Sequence, residues 1–113
     1  MKENENTSVS TLPVAFSQLR SILIGGSPGE KFQASELLAK CAHGSPEALI
    51  EAGNDTIPEI RQTAAWAIGK AQLDSPEARA LLQRLADDED KNVRTKAIYA
   101  LKTLGGIYVR FPG

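Results

Sequence analysis

Pro58-Glu59-Ile60-Arg61-Gln62-Thr63-Ala64-Ala65-Trp66-Ala67-Ile68-Gly69 sets the architecture of this chain. Its centre, Ile60 to Ile68, returns thirty-three residues later as Val93-Arg94-Thr95-Lys96-Ala97-Ile98-Tyr99-Ala100-Leu101. An echo at thirty residues lies beside it: Ala39-Lys40-Cys41-Ala42-His43-Gly44-Ser45-Pro46-Glu47-Ala48 comes back as Gly69 to Ala78. Periods of this length mark stacked repeats, not a globule built around one reaction centre. The apolar residues inside them recur at helical spacing, so the expected fold is all-α, a pile of antiparallel helical hairpins.

Working outward, proline and glycine punctuate the helices. Pro13 opens a helix to about Ile24, with Leu12, Phe16, Leu19 and Leu23 on one stripe and Ile22 beside it; Gly25-Gly26 ends it. The next runs from about Gly29 to His43 with Ala34, Leu37, Leu38 and Cys41 inward. Ser45 reads as an N-cap with Pro46 at the first helical position, and a short helix carrying Leu49 and Ile50 runs to Ala52. Pro58 starts a helix to about Gln72 that buries Ile60, Ala64, Ala67, Ile68 and Ala71. Asp74-Ser75-Pro76-Glu77 repeats the cap, proline and acid order, and Pro76 to about Ala86 buries Ala78, Leu81, Leu82 and Leu85. Lys91 to Leu104 places Val93, Ala97, Ala100, Leu101 and Leu104 inward.

The expected pairing joins the helix from Gly29 to the one from Pro46, and the helix from Pro58 to the one from Pro76. The leading helix is then the second half of an incomplete repeat. Inner alanines let helix axes approach to about 8 Å. The domain spans residues 12–106. Residues 1–11, polar and rich in Glu, Asn, Ser and Thr, read as a disordered tail. Residues 107–113 read as a tail whose alternating Ile107 to Phe111 could cover the end of the stack.

The chain has 113 residues, a formal net charge of −1 and a pI near 5.8. That balance argues against non-specific nucleic-acid binding, which needs a basic footprint. A lone cysteine, Cys41, excludes an internal disulfide and a cysteine-rich zinc site. No apolar run is long enough to span a membrane. Met1 to Ser10 lacks the apolar core of a signal peptide, so a cytoplasmic location is expected.

Pro58-x-Ile-Arg-x-x-Ala-Ala-x-Ala-Ile-Gly69, and Asn92-Val-Arg-x-x-Ala-Ile-x-Ala-Leu101, resemble HEAT repeats, more narrowly the HEAT-like repeats of phycobilisome lyase subunits. The resemblance covers about Gly29 to Gly105. Glu30-Lys31 stands where the motif has Ile-Arg, and Lys102 where it has the closing glycine, as suits end repeats. The resemblance implies a short right-handed α-solenoid serving as a binding scaffold. In a minority of such proteins the repeats assist bilin attachment or bind DNA. It also implies that Arg61 and Arg94 bond acidic or carbonyl groups of neighbouring repeats, with Asp55 and one of Asp87, Asp88 or Asp90 as partners, and so form a structural ladder.

Trp66 and Tyr99 align one repeat apart, each about 120° from the apolar stripe at about 100° per residue. They should stand side by side on a helix flank, as a binding anchor or packed against the partner helix or the C-terminal tail. The second helices of the expected pairs would line a concave face. Gln18, Glu47, Glu51, Arg79, Gln83 and Arg84 give that face mixed charge, which suits a protein partner. His43 has no readable catalytic or metal-binding partner, Cys41 reads as an inert buried thiol, and Asp87 to Asp90 as a loop capping the last helix. Gly25 to Gly29 lacks the Gly-Lys-Ser/Thr ending of a phosphate loop.

No catalytic constellation, cofactor site or metal site is readable. The expectation is therefore a non-enzymatic interaction module binding a protein partner through the concave face or the Trp66/Tyr99 flank. A bilin lyase or isomerase accessory subunit is the second reading and a nucleic-acid-binding solenoid the third. Incomplete end repeats would also let two copies pair as a homodimer.

Overall fold

The computed structural model describes residues 16–44 and 46–105. Every regular element among them is helical: α1 Phe16–Gly25, α2 Pro28–Lys40, α3 Pro46–Gly53, α4 Pro58–Ala71, α5 Pro76–Leu85 and α6 Lys91–Thr103. The proposed tails, the helix start at Pro13 and the Ser45 cap lie outside the described residues.

Local chemistry explains most boundaries. α3, α4 and α5 begin at Pro46, Pro58 and Pro76, where the missing N–H costs nothing and φ is already helical. Ser75 caps α5 by accepting from Ala78 N–H at 3.1 Å. Asp90 caps α6 by accepting from the N–H groups of Asn92 and Val93. α2 starts earlier than Gly29 because Ser27-Pro28-Gly29-Glu30 is a capping box. Ser27 Oγ accepts from Glu30 N–H at 3.2 Å, and Ser27 N–H donates to Glu30 Oε1 at 2.8 Å. This accounts for the glycine-rich segment without any phosphate. α4 ends one residue before Gln72, whose left-handed φ of 55° stops the helix.

The pairing differs from the expectation by half a repeat. α2 packs on α1, α4 far more on α3 than on α5, and α6 on α5. The molecule is thus three pairs, α1–α2, α3–α4 and α5–α6. The helix bearing the repeated motif comes second in its pair. The cause is visible at Arg61 and Arg94. Arg61 Nη1 donates to the carbonyls of Asp55 and Thr56, and Arg94 Nη1 to those of Asp88 and Glu89. Each arginine so fastens its helix to the loop from the preceding one.

α2, α4 and α6 form one layer, with α4 against both neighbours; α3 and α5 stack in the other layer, and α1 packs on α2 and α4. One core runs through the stack, with Leu19, Leu23, Leu38, Leu49, Ile60, Ile68, Leu82 and Leu101 wholly or almost wholly buried. The expected inner alanines Ala34, Ala64, Ala67, Ala97 and Ala100 are buried, and so are Ala39, Ala42 and Ala65. Leu37, Ile50, Ala71 and Leu104 reach only the core's margin, and Ile22 is exposed. Cys41 is half-buried, not fully inside, because α2 has ended at Lys40 and Ala42 takes the inner place. Gly69 lets α4 and α6 approach closely: a Cβ there would sit 3.1 Å from Ala100 Cβ.

Candidate interaction surfaces and the arginine–aspartate ladder

The loop aspartates and the arginines form a connected series. Asp55 accepts from Ile57 N–H two residues on, at 2.9 Å, and Asp88 likewise from Asp90 N–H. These are Asx turns, which shape the entries to α4 and α6. Each carboxylate is then held bidentately from a neighbouring pair. Arg20 grips Asp55 through Nε at 2.6 Å and Nη2 at 3.0 Å; Arg61 grips Asp88 through Nε at 2.8 Å and Nη2 at 3.0 Å. Of the three candidate acids, Asp88 is therefore the side-chain partner of Arg61, and Asp55 meets Arg61 through its carbonyl instead. Arg20 had no sequence signal. It acts because Lys31, thirty residues before Arg61, lacks the fork and pairs with Glu59 at 3.2 Å.

Electrostatics follow the geometry. The Arg20 fork, with the Ile57 N–H, holds Asp55 below the ordinary carboxylate range against the opposing effect of burial. For Asp88, burial pushes up, but the Arg61 bond, the Asp90 N–H and the charges of Arg61 and Arg94 outweigh it and leave the group lowered. Burial raises the Cys41 thiol, away from the reactive thiolate.

The α2–α4–α6 layer carries a row of aromatic side chains. Phe32 and Trp66 lie 6.5 Å apart between ring centroids, tilted by 57°. Trp66 and Tyr99 share a hollow of about 240 Å³ with Lys70, Lys96 and Thr103. Lys70 Nζ stands 6.0 Å from the Trp66 centroid. Trp66 is half-buried, whereas Phe32 is 58% and Tyr99 65% exposed. Phe32 was missed because the thirty-residue offset places Glu36 opposite Trp66, and the aromatic sits one turn earlier on that flank. An aromatic four residues before that position was the available signal.

The other layer holds a groove of about 520 Å³. Its floor is Ile50, Leu73 and Pro46, and its rim is Glu47, Glu51 and Glu77. The expected mixed-charge face therefore splits. Glu47, Glu51, Gln83 and Arg84 are exposed, with Arg84 donating to Asn54 Oδ1. Arg79 is already engaged within the chain: it pairs with Asp74 and donates to the Leu104 carbonyl at 3.0 Å, tying the start of α5 to the end of α6. His43 Nε2 lies 2.7 Å from the Ala71 carbonyl. Among the described residues no cluster of His, Cys, Asp or Glu could hold a metal ion, and no helix is long and apolar enough to cross a membrane.

A family model described as HEAT repeats matches residues 46–108. The chain belongs to the HEAT-repeat family. The match opens at Pro46, the first residue of α3, in phase with the α3–α4 and α5–α6 pairs. No curated protein matches the chain. As a helical-repeat protein, this HEAT-repeat chain has the architecture of an interaction scaffold.

Proposed function

We propose that this HEAT-repeat protein is a non-enzymatic module that binds a protein partner along the α2–α4–α6 flank. The row Phe32, Trp66, Tyr99 carries this reading. A single exposed aromatic is ordinary. Three along one flank, one from each helical pair, with two of them more than half exposed, form an anchor strip of the kind that dominates interface energetics. Lys70 and Lys96 beside the strip favour a partner segment with acidic side chains around apolar ones. The groove between α3 and α5 is a weaker candidate, because its apolar floor is already drawn into the core while its rim is acidic.

Nucleic acid is the third reading, since lysines beside stacked aromatics also suit single-stranded bases. The net charge of −1 opposes it. A bilin accessory role extends the narrower family likeness. The lone tryptophan, Trp66, lets fluorescence discriminate. The full chain and a Phe32→Ala/Tyr99→Ala variant would be used to capture partners from native extract, with Gln83→Ala as a control on the opposite layer. A stoichiometric partner retained by wild type and the control, lost with the double variant, and shifting Trp66 emission when purified, supports the proposal. Tight Trp66 quenching by oligo-dT, or an absorbance change with phycocyanobilin, would replace it with the third or second reading.

A further inference from the structure

The acidic rim that makes the α3–α5 groove a poor seat for the partner of the aromatic row suits an occupant of the opposite charge. α3 and α5 meet tightly where Gly53 lies against the Leu81 side chain and leaves no room for a Cβ. Toward their proline starts the two helices part, and the groove of about 520 Å³ opens there. Ile50 and Leu73 lie on its floor, Glu47 and Glu51 on the α3 wall, and Glu77 across from them on α5. Ile50 is half-buried, and the three carboxylates are exposed.

The helices themselves do not account for all of this charge. Glu47 and Glu77 sit in first turns, where the helix dipole favours an acid. Glu51 sits in the last turn of α3, where the same dipole disfavours one. α2, α4, α5 and α6 each place a cation in that turn, Lys40, Lys70, Arg84 and Lys102, and α3 places none. Glu51 also stands four residues after Glu47, a spacing at which like charges repel. Both local costs fall on the residue that carries the acidic rim along the groove. Arg79, two residues beyond Glu77, is turned to Asp74 and the Leu104 carbonyl instead.

We infer that this groove binds a basic and apolar segment of another protein. One aliphatic side chain of the segment sits on Ile50 and Leu73, and lysine or arginine on either side of it reaches Glu47 and Glu51 on one wall and Glu77 on the other. Carboxylates on both walls complement a chain with cations on both sides of its anchor better than a single ammonium group. The charge preference is the reverse of that at the aromatic row, on the other layer. The two sites are independent, and each stands or falls separately.

The test uses the full chain with labelled isoleucine methyls, Ile50 being the reporter and Ile98, on the other layer, the control. The probe is a blocked pentapeptide with one leucine between two pairs of lysines. The expected result is a saturable shift of Ile50 with Ile98 still, weakened about tenfold at about 0.5 M salt. Replacing the leucine of the peptide by glycine should weaken it about tenfold as well. Glu51→Lys should lower the affinity about tenfold while leaving thermal unfolding unchanged or raised, because a cation suits the last turn of a helix. No Ile50 shift at millimolar peptide, an equal response to the glycine peptide or to spermine, or a lower unfolding temperature in Glu51→Lys would overturn the inference. An Ile50 shift produced by Lys2→Gln or Arg110→Gln without peptide would assign the groove to the chain's own terminal residues and overturn it too.

Discussion

Asp88 joins two helical pairs through one side chain. Arg61 and Asp88 are only 11% and 10% exposed at their side chains, so this contact escapes much of the screening that makes surface pairs weak. Asp88→Asn should cost about 1–3 kcal/mol in chemical denaturation, since bonds to charged groups are lost and Arg61 keeps a half-empty fork. The pH dependence has a definite sign. Asp55 and Asp88 are both lowered in the folded state. Their contribution is therefore present above the unfolded carboxylate value of about 4 and is lost as pH falls through the folded values. Stability measured between about pH 5 and pH 2 should fall, and Asp88→Asn should flatten that limb. Packing is equally specific at Gly53, where an added Cβ would collide with the Leu81 side chain. Leu81 is itself 2% exposed, so its side chain would have to shift inside a packed core. Gly53→Ala should destabilise by about 1–2 kcal/mol, the overpacking cost less a gain in helix propensity. Residues such as Ala64, Ala97, Trp66 and Tyr99 were legible because spacing alone fixes their faces. Arg20 and Phe32 were not, because each is a local substitute standing outside the repeat: Arg20 serves where Lys31 cannot, and Phe32 sits one turn from the aligned position.

At the level of the helix, caps do what short sequences cannot do by propensity alone. α5 has 10 residues, a length at which an isolated helix is marginal in water. Ser75 satisfies the Ala78 N–H, and Glu77 sits in the positive first turn. Ser75→Ala should therefore cost about 1 kcal/mol of global stability, and Ser75→Asp should restore most of it. If thermal unfolding of Ser75→Ala matched wild type, the cap would be irrelevant and packing alone would hold α5. The proline-led starts at Pro46, Pro58 and Pro76 were readable to the residue, since a proline announces its own position. The far ends were readable to within one or two residues except in α2, which stops at Lys40. Last turns dissolve into caps whose form depends on neighbours, as at Gln72. The pairing of helices was not legible. A period of thirty to thirty-three residues fixes the unit but not its phase, and both connecting loops around α4 are short. The packing of α4 on α3 and the Arg61 and Arg94 bonds to their preceding loops, visible in coordinates, select one phase.

At the scale of the whole molecule, the question is whether three pairs unfold together or one after another. Long repeat arrays behave as chains of semi-independent units. Here α4 touches every other helix: α2 and α6 on its two flanks, α3 beneath, and α1 and α5 at its margins. The ladder reinforces this, because Arg20 ties α1 to the loop before α4, and Arg61 ties α4 to the loop before α6. No pair can leave without exposing part of α4. Ile68, fully buried in that helix, is the place to test it. Ile68→Ala should cost about 2–5 kcal/mol through lost transfer energy and a residual cavity. Because the unit is cooperative, Trp66 emission and far-ultraviolet circular dichroism should lose signal in one coincident transition, in the variant as in wild type. A Trp66 transition that preceded the loss of helix would mean that the α2–α4–α6 layer opens before the rest, and that the aromatic row belongs to a locally labile surface.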